Sequence, residues 1–328
     1  MSRSDRSGHT PQEPQFGLAM VATTLVRRLE VDPASHPRGQ PHISSASGLA
    51  IIGDWFYFVA DDENHLITVP TDDVEAGAFQ MLPLGAGRLP TDDGERKRRK
   101  KDLELVFDVP ASAGAPRMLV AWGSGSRPSR DAGYVMALAP DGSLESSPRR
   151  VCLAPLHELL RRHTPELNIE AGLVVGDELH LFSRASAKAP SNGWFRIDLD
   201  AVIAFLLADG GTSQVPAVRF AELDLGRMGG VPLGISDATA RTDGGWLLSA
   251  SAEHTSDAYD DGRVEGSVLL ACAQDGSITW RAQLDGHHKV EGIAFDGRGA
   301  LWMTTDDDAS DVPSQLRRLA WPPSGFAG

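Results

Sequence analysis

Cysteine is nearly missing from this chain: there are two in 328 residues, Cys152 and Cys272, far apart and neither in a CxxC pair. That excludes a disulfide scaffold and a cysteine-bound zinc centre, and it is the pattern of free thiols in a reducing compartment. Also missing is any run of about 18 apolar residues, which a membrane-spanning helix would require. The opening residues, MSRSDRSGHTPQEPQ, hold no apolar stretch of a secretory signal. The expected location is therefore the cytoplasm, with no membrane partner. No GxxxxGK[ST], GxGxxG or HExxH occurs, which removes the known nucleotide loops and the helical zinc-protease motif. Positive charge is scarce as well. Thirty-one Lys and Arg stand against 45 Asp and Glu, a net charge of −14. Nucleic-acid binding needs a basic footprint, so nucleic acid is not an expected partner. One basic run, Arg96 to Lys101, opposes the trend; beside Asp92, Asp93 and Glu95 it reads as a solvated loop.

What is present is a repeat. Five times a short segment ends in an acidic or small polar residue and enters an apolar strand: at Ser47, Glu104, Glu170, Asp237 and Glu291. Each is followed by a turn and a second hydrophobic strand, such as Trp55–Val59, Arg117–Trp122, Leu179–Phe182, Trp246–Ser249 and Leu301–Thr304. Turn pairs such as Gly53-Asp54, Gly176-Asp177 and Asp243-Gly244 punctuate them. A third strand and then a fourth complete each unit, so the period is one four-stranded blade. Two segments read as helix instead, Pro155 to Arg162 and Asp200 to Leu207.

The last repeat lacks its fourth strand, whereas a strand over residues 24–31 precedes the first repeat and has none of its own. The two deficits cancel if the N-terminal strand closes the final blade. The expected fold is therefore an all-β, five-bladed β-propeller over residues 16–328, closed by the N-terminal strand, after a disordered tail at 1–15. A six-bladed alternative needs a blade hidden in 70–100 or 200–233, where strands are too few.

The runs Gly234-Ile235-Ser236-Asp237-Ala238-Thr239-Ala240, Ala252-Glu253-His254-Thr255-Ser256-Asp257-Ala258-Tyr259 and Lys289-Val290-Glu291-Gly292 resemble a family of uncharacterised bacterial propeller proteins. Trp122 to Arg127 and Asn168-Ile169-Glu170 fit the same family. That family is itself similar to the phytase-like esterase and lactonase propellers. The resemblance implies the fold but carries no assigned reaction, and architecture alone does not fix chemistry.

Inner strands of a propeller line a central channel, so Glu104, Glu170, Asp237 and Glu291 should converge there, with Ser47 as the fifth member. Carboxylates at close range either take up protons or surround a cation. Oxygen donors of this kind suit Ca²⁺ better than Mg²⁺, which demands tighter geometry. In the alternative reading each carboxylate accepts backbone N–H bonds from the adjacent blade and tethers it. A second ring, Asp62, Ser124, Arg184, Glu253 and Asp306, should rim one mouth. Ser124, Arg127, Arg184 and Lys289 are candidates for holding a small anionic molecule, with the Gly123–Arg130 loop offering an anion nest. The alternative for that loop is a flexible linker. Glu253, His254 and Asp306 are the candidate acid–base groups. Together these residues point to a metal-dependent hydrolase of an anionic ester, lactone or phosphoester. The other class is a non-catalytic binding or scaffold propeller in which the carboxylates are structural.

Overall fold

The computed structural model describes residues 18–85, 87–112, 114–186, 189–209, 215–253, 264–306 and 309–326. The expected tail at 1–15 lies outside them. Five sheets form a five-bladed β-propeller. In each blade, alternating β-rich segments joined by short turns make an antiparallel meander from the axis outward. Blade one runs Ala46–Ile52, Trp55–Ala60, His65–Pro70 and Gln80–Pro83. Blade two runs Leu103–Val109, Met118–Gly123, Ala132–Ala137 and Arg149–Cys152. Blade three runs Ile169–Val175, Glu178–Ser183, Asn192–Asp198 and Val218–Leu223. Blade four runs Val231–Ala240, Trp246–Glu253, Val264–Cys272 and Ile278–Leu284, and blade five Lys289–Phe295, Leu301–Asp306 and Gln315–Leu319.

Blade five is completed by Thr24–Arg28, antiparallel to Gln315–Leu319 with Thr24 opposite Arg318. The N-terminal strand thus closes the ring where the two chain ends each lacked a partner. The preceding segment, Ala19–Val21, adds a parallel strand to the outer edge of blade four, which the repeat pattern did not foreshadow. One stretch of N-terminal chain therefore joins blades four and five.

The core is divided among the seams. Five apolar clusters each fill one interface between neighbouring blades. The seam between blades two and three is enlarged by two helices, α2 (Ala154–Leu160) and α3 (Leu199–Leu207), which bury Leu156, Leu160, Val202, Phe205 and Leu206 in it. Both fall where the apolar spacing put them. No helix among the described residues is long and apolar enough to cross a membrane.

The basic run is not a solvated loop. Residues Asp93–Arg99 form helix α1. Asp92 caps it by accepting the Glu95 N–H at 2.8 Å, acidic residues occupy the first turn, and Arg96 to Arg99 occupy the last. That order of charges follows the helix dipole. Arg96 is buried, and Lys100 just beyond the helix points inward.

Removal of residues 1–32 should strip blade five of a strand and bare the pocket that Leu29 fills. Urea unfolding should show a loss of at least about 3 kcal/mol, from the lost burial of Leu29 and Val21 alone. An unchanged midpoint would mean that the ring is closed without this segment.

Candidate functional site

Every inner strand carries an irregularity, near its start in four blades and at mid-strand in blade four. The ladder to the second strand skips one residue per blade: Gly48, Glu104, Glu170, Ser236 and Glu291. A bulge leaves its extra residue unpaired and re-aims its side chain. The structurally equivalent set therefore differs from the sequence ring at two places, because Ser47 and Asp237 each stand one residue off the bulge. At blade one no carboxylate could be accommodated. Gly48 has φ +57°, and a Cβ there would lie 2.8 Å from Leu105 Cα and 2.9 Å from Glu104 O.

Asp237 does not line the cavity. Its carboxylate accepts the Ile293 N–H at 2.7 Å, joining blade four to blade five, and the amides of Ala238 and Leu49 also favour its ionised form. Burial nonetheless pushes its pKa well above the ordinary value. This is the blade tether of the alternative reading.

Glu104, Glu170 and Glu291 line one cavity of about 500 Å³ to which all five blades contribute. It has two differently organised halves. In the first, Asp61, Asp102 and Glu104 bring ligand oxygens within 4.8 Å of one another, the sole such group among the described residues. Asp102 accepts from Ser124 Oγ and from Arg130 Nη1, each at 2.5 Å. Burial opposes its ionisation, but Lys100 and Arg130 prevail and hold its pKa below the ordinary value. Asp61 is pushed up to about 7 by burial, against the pull of Lys100. Glu104 makes no hydrogen bond or ion pair among the described residues. Burial, then the charges of Asp61, Glu170 and Asp102, raise it well above the usual carboxylate range. The Lys100 ammonium contacts Asp61 Oδ2 and lies 3.3 Å from Asp102 Oδ1 and 3.8 Å from Asp62 Oδ1.

In the second half, two cations are shared among three carboxylates. Arg184 Nη2 donates to Glu253 Oε2 at 2.8 Å, and its Nη1 lies 3.6 Å from Glu291 Oε1 and 4.0 Å from Glu170 Oε2. Lys289 Nζ lies 3.2 Å from Glu291 Oε1 and 3.6 Å from Glu253 Oε2. Arg184 reaches this place because residue 234 is glycine: a Cβ there would stand 2.8 Å from Arg184 Cγ and 2.9 Å from its Nε. Glu170 belongs to both halves. Asn168 donates to it, and its charge is felt by Arg184, Glu291 and Lys289 on one side and Asp102 on the other. Burial, with Glu291 adding to it against Arg184 and Lys289, pushes its pKa to about 8.

Of the residues singled out from sequence, Ser47, Asp62, Glu104, Glu170, Glu291, Arg184, Lys289, Glu253 and Asp306 face this cavity. Ser124 is buried behind Asp102, and Arg127 is exposed outside the lining; Arg130, from the same loop, is the arginine that enters. His254 lies outside the described residues. Within the Gly123–Arg130 loop the Ser126 N–H donates to Ser124 Oγ at 3.2 Å and the Gly125 N–H to Arg130 O at 3.4 Å, and a buried brace flanks the loop. Trp122 Nε1 donates to His157 Nε2 at 2.8 Å, and His157 Nδ1 bonds Asp131 Oδ1 at 2.7 Å. Asp61, Asp102 and Lys100 went unrecognised in the sequence. The available signal was position: Lys100-Lys101-Asp102 runs directly into the Glu104 strand, and Asp61 precedes Asp62 at the end of a second strand.

The folded protein holds a proton on Glu170 that the unfolded chain releases above about 4.5. Its stabilising contribution is therefore complete below that pH and is lost as pH rises through about 8. Glu170→Gln should melt like the wild type near pH 5 and at a higher temperature at pH 9. Parallel melting curves across the range would remove this assignment.

A family model described as a family of unknown function (DUF6929) matches residues 42–320. No curated protein matches the chain. Among solved structures it is similar to a luciferin-regenerating enzyme, with 11% identity over 88% of this chain and 95% of that one and a TM-score of 0.43. A glucose dehydrogenase gives 10% identity over 90% and 98%, TM-score 0.45. The virginiamycin B lyase of Staphylococcus aureus gives 11% over 83% and 84%, TM-score 0.35.

Proposed function

We propose that this chain, which belongs to that family of unknown function, is a hydrolase of a small anionic ester, lactone or phosphoester taken into the axial cavity. One observation carries the reading. A single cavity joins a trio of oxygen donors to a pair of shared cations, with the raised carboxyl of Glu170 coupled to both.

The acidic half fits a hard divalent ion, Ca²⁺ above all, on the chemistry of its donors. Three carboxylates converge, Asp61 Oδ1 is buried without a hydrogen-bond partner, and a cation, the Lys100 ammonium, already rests against two of them. Asp61, Asp102 and Glu104 would hold the ion; Glu291 is paired with Arg184 and Lys289, Glu170 lies between the two halves, and Asp237 is occupied by backbone amides. Bound there, such an ion supplies Lewis-acid polarisation of the scissile group. The remaining chemistry belongs to the chain. Arg184 and Lys289 each serve more than one carboxylate, so an incoming anionic group can take the place of one of them without leaving a buried charge alone. Glu170, protonated at neutral pH, is suited to give its proton to the departing oxygen, and Glu253 or Asp306 to accept one from the attacking water.

A second reading, a propeller that binds a polar ligand without turnover, is favoured by the internal pairing of Glu253 and Glu291 with Arg184 and Lys289 and by the tether at Asp237. A screen of aryl esters, lactones and phosphoesters in Ca²⁺ and in EDTA separates the two. Turnover that disappears in EDTA and returns with Ca²⁺ is expected. Glu104→Gln should abolish it, while Arg184→Ala should raise KM about tenfold or more with a smaller effect on kcat, as loss of a charged hydrogen bond would. No turnover on any class, with a ligand nonetheless retained, would leave the binding reading in its place.

A further inference from the structure

Helix α1 and the residue that follows it form part of the cavity wall, through Asp93, Gly94, Arg96, Lys97 and Lys100. Arg96 on the helix places Nε 3.2 Å from Asp62 Oδ2 and also contacts Asp93. Its Nη1 donates to Thr91 O at 3.1 Å, so the guanidinium is held in the crook of its own loop. Lys100 then turns out of the helix with ψ 150° and sends its ammonium into the donor trio. It is largely enclosed there, 12% exposed at the side chain, against Asp61, Asp102 and Asp62. After it the chain is fastened to blade one, where Lys101 N–H donates to Asn64 Oδ1 at 2.8 Å. The helix is thus attached to the cavity chiefly by cations laid on carboxylates.

Those carboxylates are the ones that would hold a divalent ion, which is where this inference rests on the proposed function. Asp61 and Asp102 cannot both serve Lys100 at these distances and surround an ion, because ammonium and ion would be repelled at close range. We propose that Lys100 is a tethered counter-cation that occupies the divalent-ion site, keeps α1 docked against the cavity, and is displaced with it when an ion binds. Ion entry and opening of the cavity mouth are then one event. The substrate encounters an open cavity once the ion is in place, and the ion-free protein keeps its carboxylates neutralised instead of bare. The coupling is reciprocal: whatever holds α1 down weakens the ion, and the ion loosens α1.

Two measurements on the full chain test this. Calorimetric titration with CaCl₂ and with MgCl₂ compares wild type and Lys100→Met, whose unbranched side chain keeps much of the volume. The variant should bind Ca²⁺ at least about tenfold more tightly, since the competing charge is gone. Equal affinities would overturn the competition while leaving an ion site in the proposed function. No binding by either protein would remove both. The second measurement uses wild type alone and does not depend on the variant folding. Hydrogen exchange at the Arg96 and Lys100 amides, which bond Asp92 O and Arg96 O, should quicken when Ca²⁺ is added. Exchange that stays the same or slows with Ca²⁺ bound would show that the helix remains seated, and the coupling would be refuted.

Discussion

Nine carboxylates and six cationic side chains face one cavity at the centre of this propeller, and a buried carboxylate must be paired, protonated or ligated. That demand explains details that otherwise look unrelated. It accounts for an arginine laid across a glycine strand at Arg184 and Gly234, and for a lysine drawn in from outside the helix at Lys100. It accounts too for the proton retained by Glu170. Three solutions to one problem coexist in a single space, and their coexistence makes the space chemically asymmetric.

The scaffold that imposes this is built from seams. Each blade is a sheet that cannot cover its own faces, so Trp122, Phe182, Trp246 and Phe56 are buried against neighbouring blades and no single central core exists. The axis is left to polar groups because the inner strands converge there and apolar side chains are used up between blades. In blades two, three and five the bulge turns a glutamate out of the ladder and into the channel. Asp237, one residue past its bulge, bonds a neighbouring strand instead, though it belongs to the same sequence motif.

The asymmetry also ranks the functional readings. A ring of equivalent acids would describe a simple cation hole. Here the bulge positions hold Gly48, Ser236 and three glutamates, and the cations enter from the start of blade five's inner strand, from the residue after a second strand, from α1 and from the Gly/Ser/Arg loop. Such division between a donor trio and a shared cation pair is the feature on which the proposed hydrolase reading rests.

The five-fold repeat, the four-stranded units, the closure of blade five by Thr24–Arg28 and helices α2 and α3 could all be read from the linear chain. They rest on hydrophobic period and turn spacing, which are local. Glu104, Glu170 and Glu291 were legible for the same reason, as repeated positions. Asp237 lies one residue past its bulge and misses the cavity because a bulge does not alter composition, only register, and register is set by the partner strand; Ser47, one residue before its bulge, lines the cavity all the same. Helix α1 was hidden by charge, since a run of arginines and lysines looks the same whether solvated or capped by Asp92 and drawn down onto acids. The meeting of Lys100 with Asp61 and Asp102, and the choice of Arg130 over Arg127, were decided by tertiary structure alone. Ion pairing joins groups from different blades, and nothing local to either partner records the other.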